Sequence, residues 1–157
     1  MPFTITLEKL NKGHTFEDIA LVLKNDIASE IGSSSANLIF NESLTILRVD
    51  VDEDYRNRGY GFRLMLSLCQ RAFSDNIKEG NSSFATEWLK VHLVADEGET
   101  ANLRKYYQRV GFTEDEEQEN DRPDQYSMTG SLGSVITNLQ IILAAKYTGY
   151  PVSVKVE

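Results

Sequence analysis

The run Arg56-Asn57-Arg58-Gly59-Tyr60-Gly61 has the residue types and spacing to hold a phosphate group. Two glycines one residue apart let the backbone curl around an anion, because no Cβ stands in the way. Arg56 and Arg58 add positive charge at the rim. Before the run, Leu47, Val49 and Val51 alternate with charged neighbours, the period of a strand with two different faces. After it, Phe62, Met65, Leu66 and Cys69 recur at helical spacing, with Phe73 one turn further on. The run therefore joins a strand to the start of a helix, where the first amides have no intrahelical partner and the helix dipole favours negative charge. The chemistry it offers is recognition of a phosphate-bearing ligand. Gly-x-Gly alone does not name that ligand: the third glycine of the dinucleotide fingerprint and the Gly-Lys-Ser/Thr ending of a triphosphate loop are both missing.

The whole string is more specific. Arg56 to Gly61 resembles the pyrophosphate loop of the GCN5-related N-acetyltransferase superfamily, whose pattern is Gln/Arg-x-x-Gly-x-Gly/Ala. Phe62-Arg63-Leu64-Met65 is similar to the helix opening of its histone-acetyltransferase branch. A second block, Leu103 to Phe112, resembles the family's later helix, which ends Leu-Tyr-x-x-x-Gly-Phe. Counting back from Gly111-Phe112 puts Tyr107 in the tyrosine register, with Tyr106 where leucine is common. The residues agree on their own terms: Leu103, Tyr106, Tyr107 and Val110 share one helical face, and Gly111 fits a C-terminal cap.

The resemblance implies an N-acetyltransferase that moves an acetyl group from acetyl-CoA to a primary amine by direct attack, without a metal. Cofactor contacts would come from Arg56, Asn57, Arg58, Gly59, Tyr60, Gly61 and Phe62, and from the strand backbone at Val49 and Val51. Asn102 would replace a cofactor-contacting asparagine at the register that Thr100 occupies. Tyr107 would protonate the leaving thiolate, a general-acid role. The base is open. Thr45 stands where the histone-acetyltransferase branch carries a glutamate; Asp50 is the first candidate, with Glu42 and Glu87 behind it. His92 can titrate usefully but reads first as a structural histidine beside Trp88. The competing reading is a non-catalytic acetyl-CoA-binding sensor or docking module of the same fold.

Elements that position these residues can be traced along the chain. Phe3 to Leu7 alternates like a strand. Thr15 suits an N-cap, and Phe16, Ile19, Ala20, Val22, Leu23, Ile27 and Ile31 form a helical stripe that Gly32-Ser-Ser-Ser35 ends. Residues 36–40 and 44–51 read as a hairpin, and residues 76–83 as a polar linker. A strand over 89–95, a helix over 100–110, a strand at Phe112, an acidic loop over 114–121 and a closing strand from Gln125 follow. These suggest a three-layer α/β fold with a mixed, mostly antiparallel sheet flanked by helices. The resemblance adds a splay between the strands at 44–51 and 89–95. Residues 1–133 form the acetyltransferase-like domain. Residues 134–157 are expected to be an extension packed on it, a helix carrying Val135, Leu139, Ile142, Leu143 and Tyr147 and then an edge strand from Pro151 that extends a sheet within the chain or across a homodimer, with a part in self-association.

Composition sets the surroundings. The chain has 157 residues and 41% hydrophobic content, enough for one core. A net charge of −8 argues against nucleic acid as a partner and suits a cationic amine. No run reaches the ~20 apolar residues that cross a bilayer, and Met1 to Thr6 shows no secretory pattern. One cysteine, Cys69, cannot form an internal disulfide, so a cytoplasmic location is expected; its place on an apolar stripe marks it as packing.

Overall fold

The computed structural model describes residues 2–98, 100–117 and 122–156. Four strands come first: β1 (Phe3–Lys12), β2 (Phe16–Lys24), β3 (Glu30–Ile39) and β4 (Ser43–Val51). A 3-10 turn at Glu53–Tyr55 leads to α1 (Tyr60–Lys78), the short α2 (Ser83–Glu87) and β5 (Lys90–Asp96). Next are α3 (Leu103–Val110), β6 (Thr113–Glu114), β7 (Gln125–Ser131), α4 (Leu132–Lys146) and β8 (Val152–Lys155). The strands form one sheet in the order β6-β7-β5-β4-β3-β2-β1-β8. Its pairings are antiparallel except β4 with β5 and β1 with β8. The α/β class, with a mixed, mostly antiparallel, splayed sheet and packed helices, is as expected; the described residues form two layers rather than three, because their helices lie on one side of the sheet.

The splay follows from the β4–β5 ladder. These strands pair only at Ser43–Lys90, Leu44–Val91 and Thr45–His92, then part. On its other side β4 stays paired with β3 up to Val51, through a register shift that leaves Leu47 opposite nothing. This β-bulge turns the strand by one residue. Leu44 and Ile46 face the core before it, Val49 and Val51 pack on the core after it, and Leu47 is 64% exposed. The plain alternation of Leu47, Val49 and Val51 in the sequence therefore breaks at Leu47.

The front of the chain departs from its sequence reading. Residues 16–24 are strand, not helix. Glu17, Ile19, Leu21 and Leu23 alternate toward the interior, and pairing with β1 and β3 along the whole strand overrides the helical spacing. Ile27 is 78% exposed in the turn that follows, where Ala28 has φ 63°. Gly32 to Ser35 lies inside β3 and ends nothing. Gly32 serves close approach: a Cβ there would sit 2.8 Å from the Asp50 carbonyl oxygen. The 76–83 linker also shrinks. Helix α1 runs to Lys78, and buried Asn76 receives the Asn41 N–H at 2.7 Å and donates to Thr86 Oγ1 at 2.9 Å. Ser82 caps α2 by accepting from Ala85 N–H at 3.0 Å.

The helices gather on one side of the sheet. Helix α1 covers β2, β3 and β4, and α4 touches α1, α2, α3 and β7. Leu64, Met65, Leu68 and Cys69 of α1 are fully buried there, with Leu132, Val135 and Leu139 of α4. Each such apolar side chain contributes ~1.5–3 kcal/mol of transfer free energy. Burial pushes the Cys69 thiol up to about 12, so it stays a neutral packing group. Asp18, Ser33, Ser35, Asn37, Thr45 and His92 line the opposite face only half-buried, and Val94 is 49% exposed. That face carries no described helix. Strand β8 extends the sheet by pairing with β1, and the Arg71 side chain donates to the Val156 carbonyl. Among the described residues no helix is long and apolar enough to cross a membrane.

Candidate functional site

Strand β4 ends at Val51, and the chain turns into the loop that opens α1. The Arg56 Nε donates to the Val51 carbonyl at 2.9 Å, which ties the loop back to the strand end. Asn57 and Gly59 both hold left-handed backbone, φ 64° and 82°. Asparagine tolerates that region and glycine takes it without cost. Gly59 is the N-cap of α1; no side chain caps it, and its first turn holds no acidic residue. The helix start thus presents uncapped amides and the positive dipole end, with two arginines on the approach. The Arg58 guanidinium lies over the rings of Tyr55 and Tyr150, at 5.4 and 5.8 Å.

Helix α3 meets this loop from the β5 side. Its start is fixed by Glu97, whose carboxylate accepts the Arg104 N–H at 3.0 Å and the Arg104 Nε at 2.9 Å. The same guanidinium reaches Glu114 at 3.2 Å and sits 3.8 Å over Tyr126. Arg104 holds the Glu97 carboxyl below its ordinary range. So fixed, α3 stacks Tyr106 on Phe62 at 4.3 Å and sets Tyr107 edge-on to Tyr106 at 5.3 Å. The Tyr106 hydroxyl is 3.2 Å, and Val49 Cγ1 3.8 Å, from where a Cβ on Gly61 would be. Burial raises both tyrosine pKa values, so both rings keep their protons at neutral pH.

The structure brings Val49, Gly59, Gly61, Phe62 and the Tyr106–Tyr107 pair together at the head of the splay. Phe62 is committed to its stack. Tyr60 is 4% exposed and stacks on Phe3 at 5.2 Å, so its side chain faces away from the loop surface and only its backbone is left to contact a ligand. Asn102 is exposed, left-handed at φ 66°, and precedes α3 without a side-chain cap. Asp50 lies on the far face of the sheet beside Ser33, exposed and paired with Arg48 at 3.2 Å. His92 is not beside Trp88: Trp88 ends α2, 67% exposed, while His92 Nδ1 meets Thr129 Oγ1 at 3.1 Å. Glu114 of the acidic run is paired with Arg104, and residues 118–121 lie outside the described residues.

Sequence reasoning missed Tyr106, Tyr147 and Tyr150. Tyr106 was visible as part of a helical face, but only packing shows that its hydroxyl, and not that of Tyr107, reaches Gly61. Tyr147 and Tyr150 follow α4 and bring the extension onto the loop, Tyr147 against Gly59 and Tyr150 edge-on to Tyr60 at 6.2 Å. No local pattern encodes that contact.

Comparison with known proteins meets this geometry. Residues 17–114 match the family model of the acetyltransferase (GNAT) domain, more than half of the chain. The chain belongs to that family. Its fold is similar to the ribosomal-protein-S18-alanine N-acetyltransferase of Escherichia coli, with TM-score 0.56 and 17% identity over 77% of this chain and 72% of that one. A GNAT family acetyltransferase of Elizabethkingia anophelis, solved with acetyl-CoA bound, gives TM-score 0.53 and 17% identity over 73% and 76%. Tetrahymena GCN5 gives 0.51 and 19% over 76% and 70%. No curated protein matches the sequence. At these identities the structures establish the fold alone.

Proposed function

We propose that this protein is an N-acetyltransferase that binds acetyl-CoA at the head of α1 and passes the acetyl group to a primary amine. The observation that carries this reading is the uncapped start of α1, with left-handed Gly59, at the end of a strand that has parted from its parallel neighbour. The thioester supplies an activated acetyl carbon. The chain supplies the rest. Amides of Tyr60, Gly61 and Phe62 bind the pyrophosphate, and Arg56 and Arg58 add charge from the rim. The free edge of β4 beyond Thr45 accepts the amide-bearing arm and, near Val49 to Val51, polarises the carbonyl. Tyr107, kept protonated by burial, gives a proton to the leaving sulfur. The residues fit this ligand in charge and backbone shape, and Tyr147 is the group that must yield as it approaches Gly59.

Calorimetric titration with acetyl-CoA, ATP and NAD tests the binding half. Acetyl-CoA should bind more tightly than either nucleotide. Tighter binding of ATP or NAD would reassign the loop to another phosphate ligand. A cytoplasmic site of action goes with this reading.

A further inference from the structure

We propose that His92 takes the proton from the incoming amine, held for that task by a hydrogen-bond chain through Thr129 to Asp115. The inference rests on the transferase reading and names the base that reading lacks. His92 occupies the last rung of the β4–β5 ladder, opposite Thr45, so it stands where the strands begin to part. Val91 and Leu93 turn to the buried, helix-covered side of β5, and His92 turns to the other. An amine arriving on the uncovered face meets His92 at the vertex of the splay, while the α1 loop and Tyr107 serve from the helix side.

The chain of bonds fixes the tautomer. The Thr129 hydroxyl donates its only proton to Asp115 Oδ1 at 2.7 Å. A carboxylate has no proton to return, so the hydroxyl oxygen is left to accept from His92 Nδ1 at 3.1 Å. A neutral imidazole protonated at Nδ1 presents its lone pair at Nε2. That is the arrangement of a base with an orienting partner behind it. The carboxylate alternatives are less well placed. Asp50 is spent on Arg48, Glu42 lies exposed in the β3–β4 turn, and Glu87 packs against Gly133 on the helix side.

Other charged groups on this face include Lys90, two residues earlier on β5, the Arg48–Asp50 pair further along β4, and Asp18 on β2, which accepts from Asn37 Nδ2 at 2.7 Å. Strand β7 adds Thr129, Ser127 and Ser131, and β6 adds Thr113, which donates to the Thr129 carbonyl at 3.4 Å. In the step itself the neutral amine nitrogen bonds to the acyl carbon as the carbon–sulfur bond breaks. The amine's surplus proton passes to His92 Nε2, and Tyr107 gives its proton to the departing thiolate. Water then carries the proton from His92 back to Tyr107. Asp115 and Thr129 are positioning residues.

The test is steady-state kinetics across pH on wild type, His92→Gln, Thr129→Val and Asp115→Asn, with acetyl-CoA affinity by calorimetry and imidazole tautomer by ¹⁵N NMR. His92→Gln should lower kcat by about 10²-fold or more, leave acetyl-CoA affinity within about twofold, and abolish the acidic limb of the pH–rate profile. Asp115→Asn should lower kcat less, since it loosens the hydrogen bond that orients the Thr129 hydroxyl toward His92. Wild-type His92 should be protonated at Nδ1, and Thr129→Val should mix the tautomers. Unchanged kcat and pH profile in His92→Gln, or an Nε2-protonated His92 in wild type, overturns the assignment while the transferase reading stands. Wild type that binds acetyl-CoA but acetylates no amine defeats the transferase reading, and the assignment with it.

Discussion

The ring of Tyr147 fills the space that a β-carbon on Gly59 would need: its Cγ lies 2.5 Å from that position. Glycine is therefore required twice at the head of α1, once for φ 82° and once for the neighbour that leans on it. Gly59→Ala should lose about 1–2 kcal/mol from left-handed backbone and a further ~1–3 kcal/mol from overlap with the ring. Tyr147→Ala in the same chain should recover the second part and leave the first. Denaturant unfolding of the four proteins of this cycle gives the coupling. Strict additivity would show that Tyr147 does not rest on Gly59.

Charge at the loop rim makes a separate, salt-sensitive contribution. Arg56 and Arg58 flank Asn57 ahead of an uncapped helix start. The double variant Arg56→Ala/Arg58→Ala should weaken acetyl-CoA binding about tenfold at low ionic strength, and the gap should narrow as salt screens the exposed charges. Equal affinities at low salt would remove both side chains from the binding account.

A buried acid sets a pH dependence of stability. Glu17 is 2% exposed, and burial, then its hydrogen bond to Asp75 and the Asp75 charge, raise its pKa to about 8; Arg71 and Lys12 oppose the shift. Folding thus favours the protonated acid. The folded chain holds a proton that the unfolded chain releases near pH 4.5, so this contribution is complete below that pH and falls as pH rises to about 8. Glu17→Gln should flatten the decline and raise Tm at pH 8 more than at pH 5. A Tm difference that is independent of pH would mean Glu17 ionises normally in the fold.

The C-terminal extension should be essential to stability. Leu139 and Val135 are fully buried and Leu143 is 4% exposed, all on α4, and α1 is its main neighbour. Leu139→Ala should cost about 2–5 kcal/mol. Deleting residues 134–157 uncovers this whole seam and should give insoluble or unfolded protein, because the loss approaches the ~5–15 kcal/mol stability of a typical domain. A soluble truncated chain with unchanged Tm would make the extension dispensable.

Legibility in the sequence followed the range of the interactions. The α1 loop, α1 itself, β5, α3 and α4 were readable because each writes its own period and its own stop signal, such as Gly111 at φ 107° after α3. Strand β2 was misread because Ile19, Val22 and Leu23 satisfy a helical stripe as well as Ile19, Leu21 and Leu23 satisfy a strand. Two flanking strands decided between them, and neither is local. At the site, the glycines announce their backbone role, whereas the placement of Tyr147 on Gly59, and of His92 behind Thr129 and Asp115, depends on contacts across 88, 37 and 14 residues of chain.

Acetyl transfer itself is read out by thiol release from acetyl-CoA across a panel of amines. The panel should include a protein N-terminal peptide, a lysine peptide, a polyamine and a small amine, with products weighed by mass spectrometry. An N-acetyltransferase should give amine-dependent release of free thiol, matched one for one by an amine heavier by a single acetyl group. Tight binding of acetyl-CoA with no amine-dependent release on any member would contradict acetyl transfer and favour a protein that only holds the cofactor.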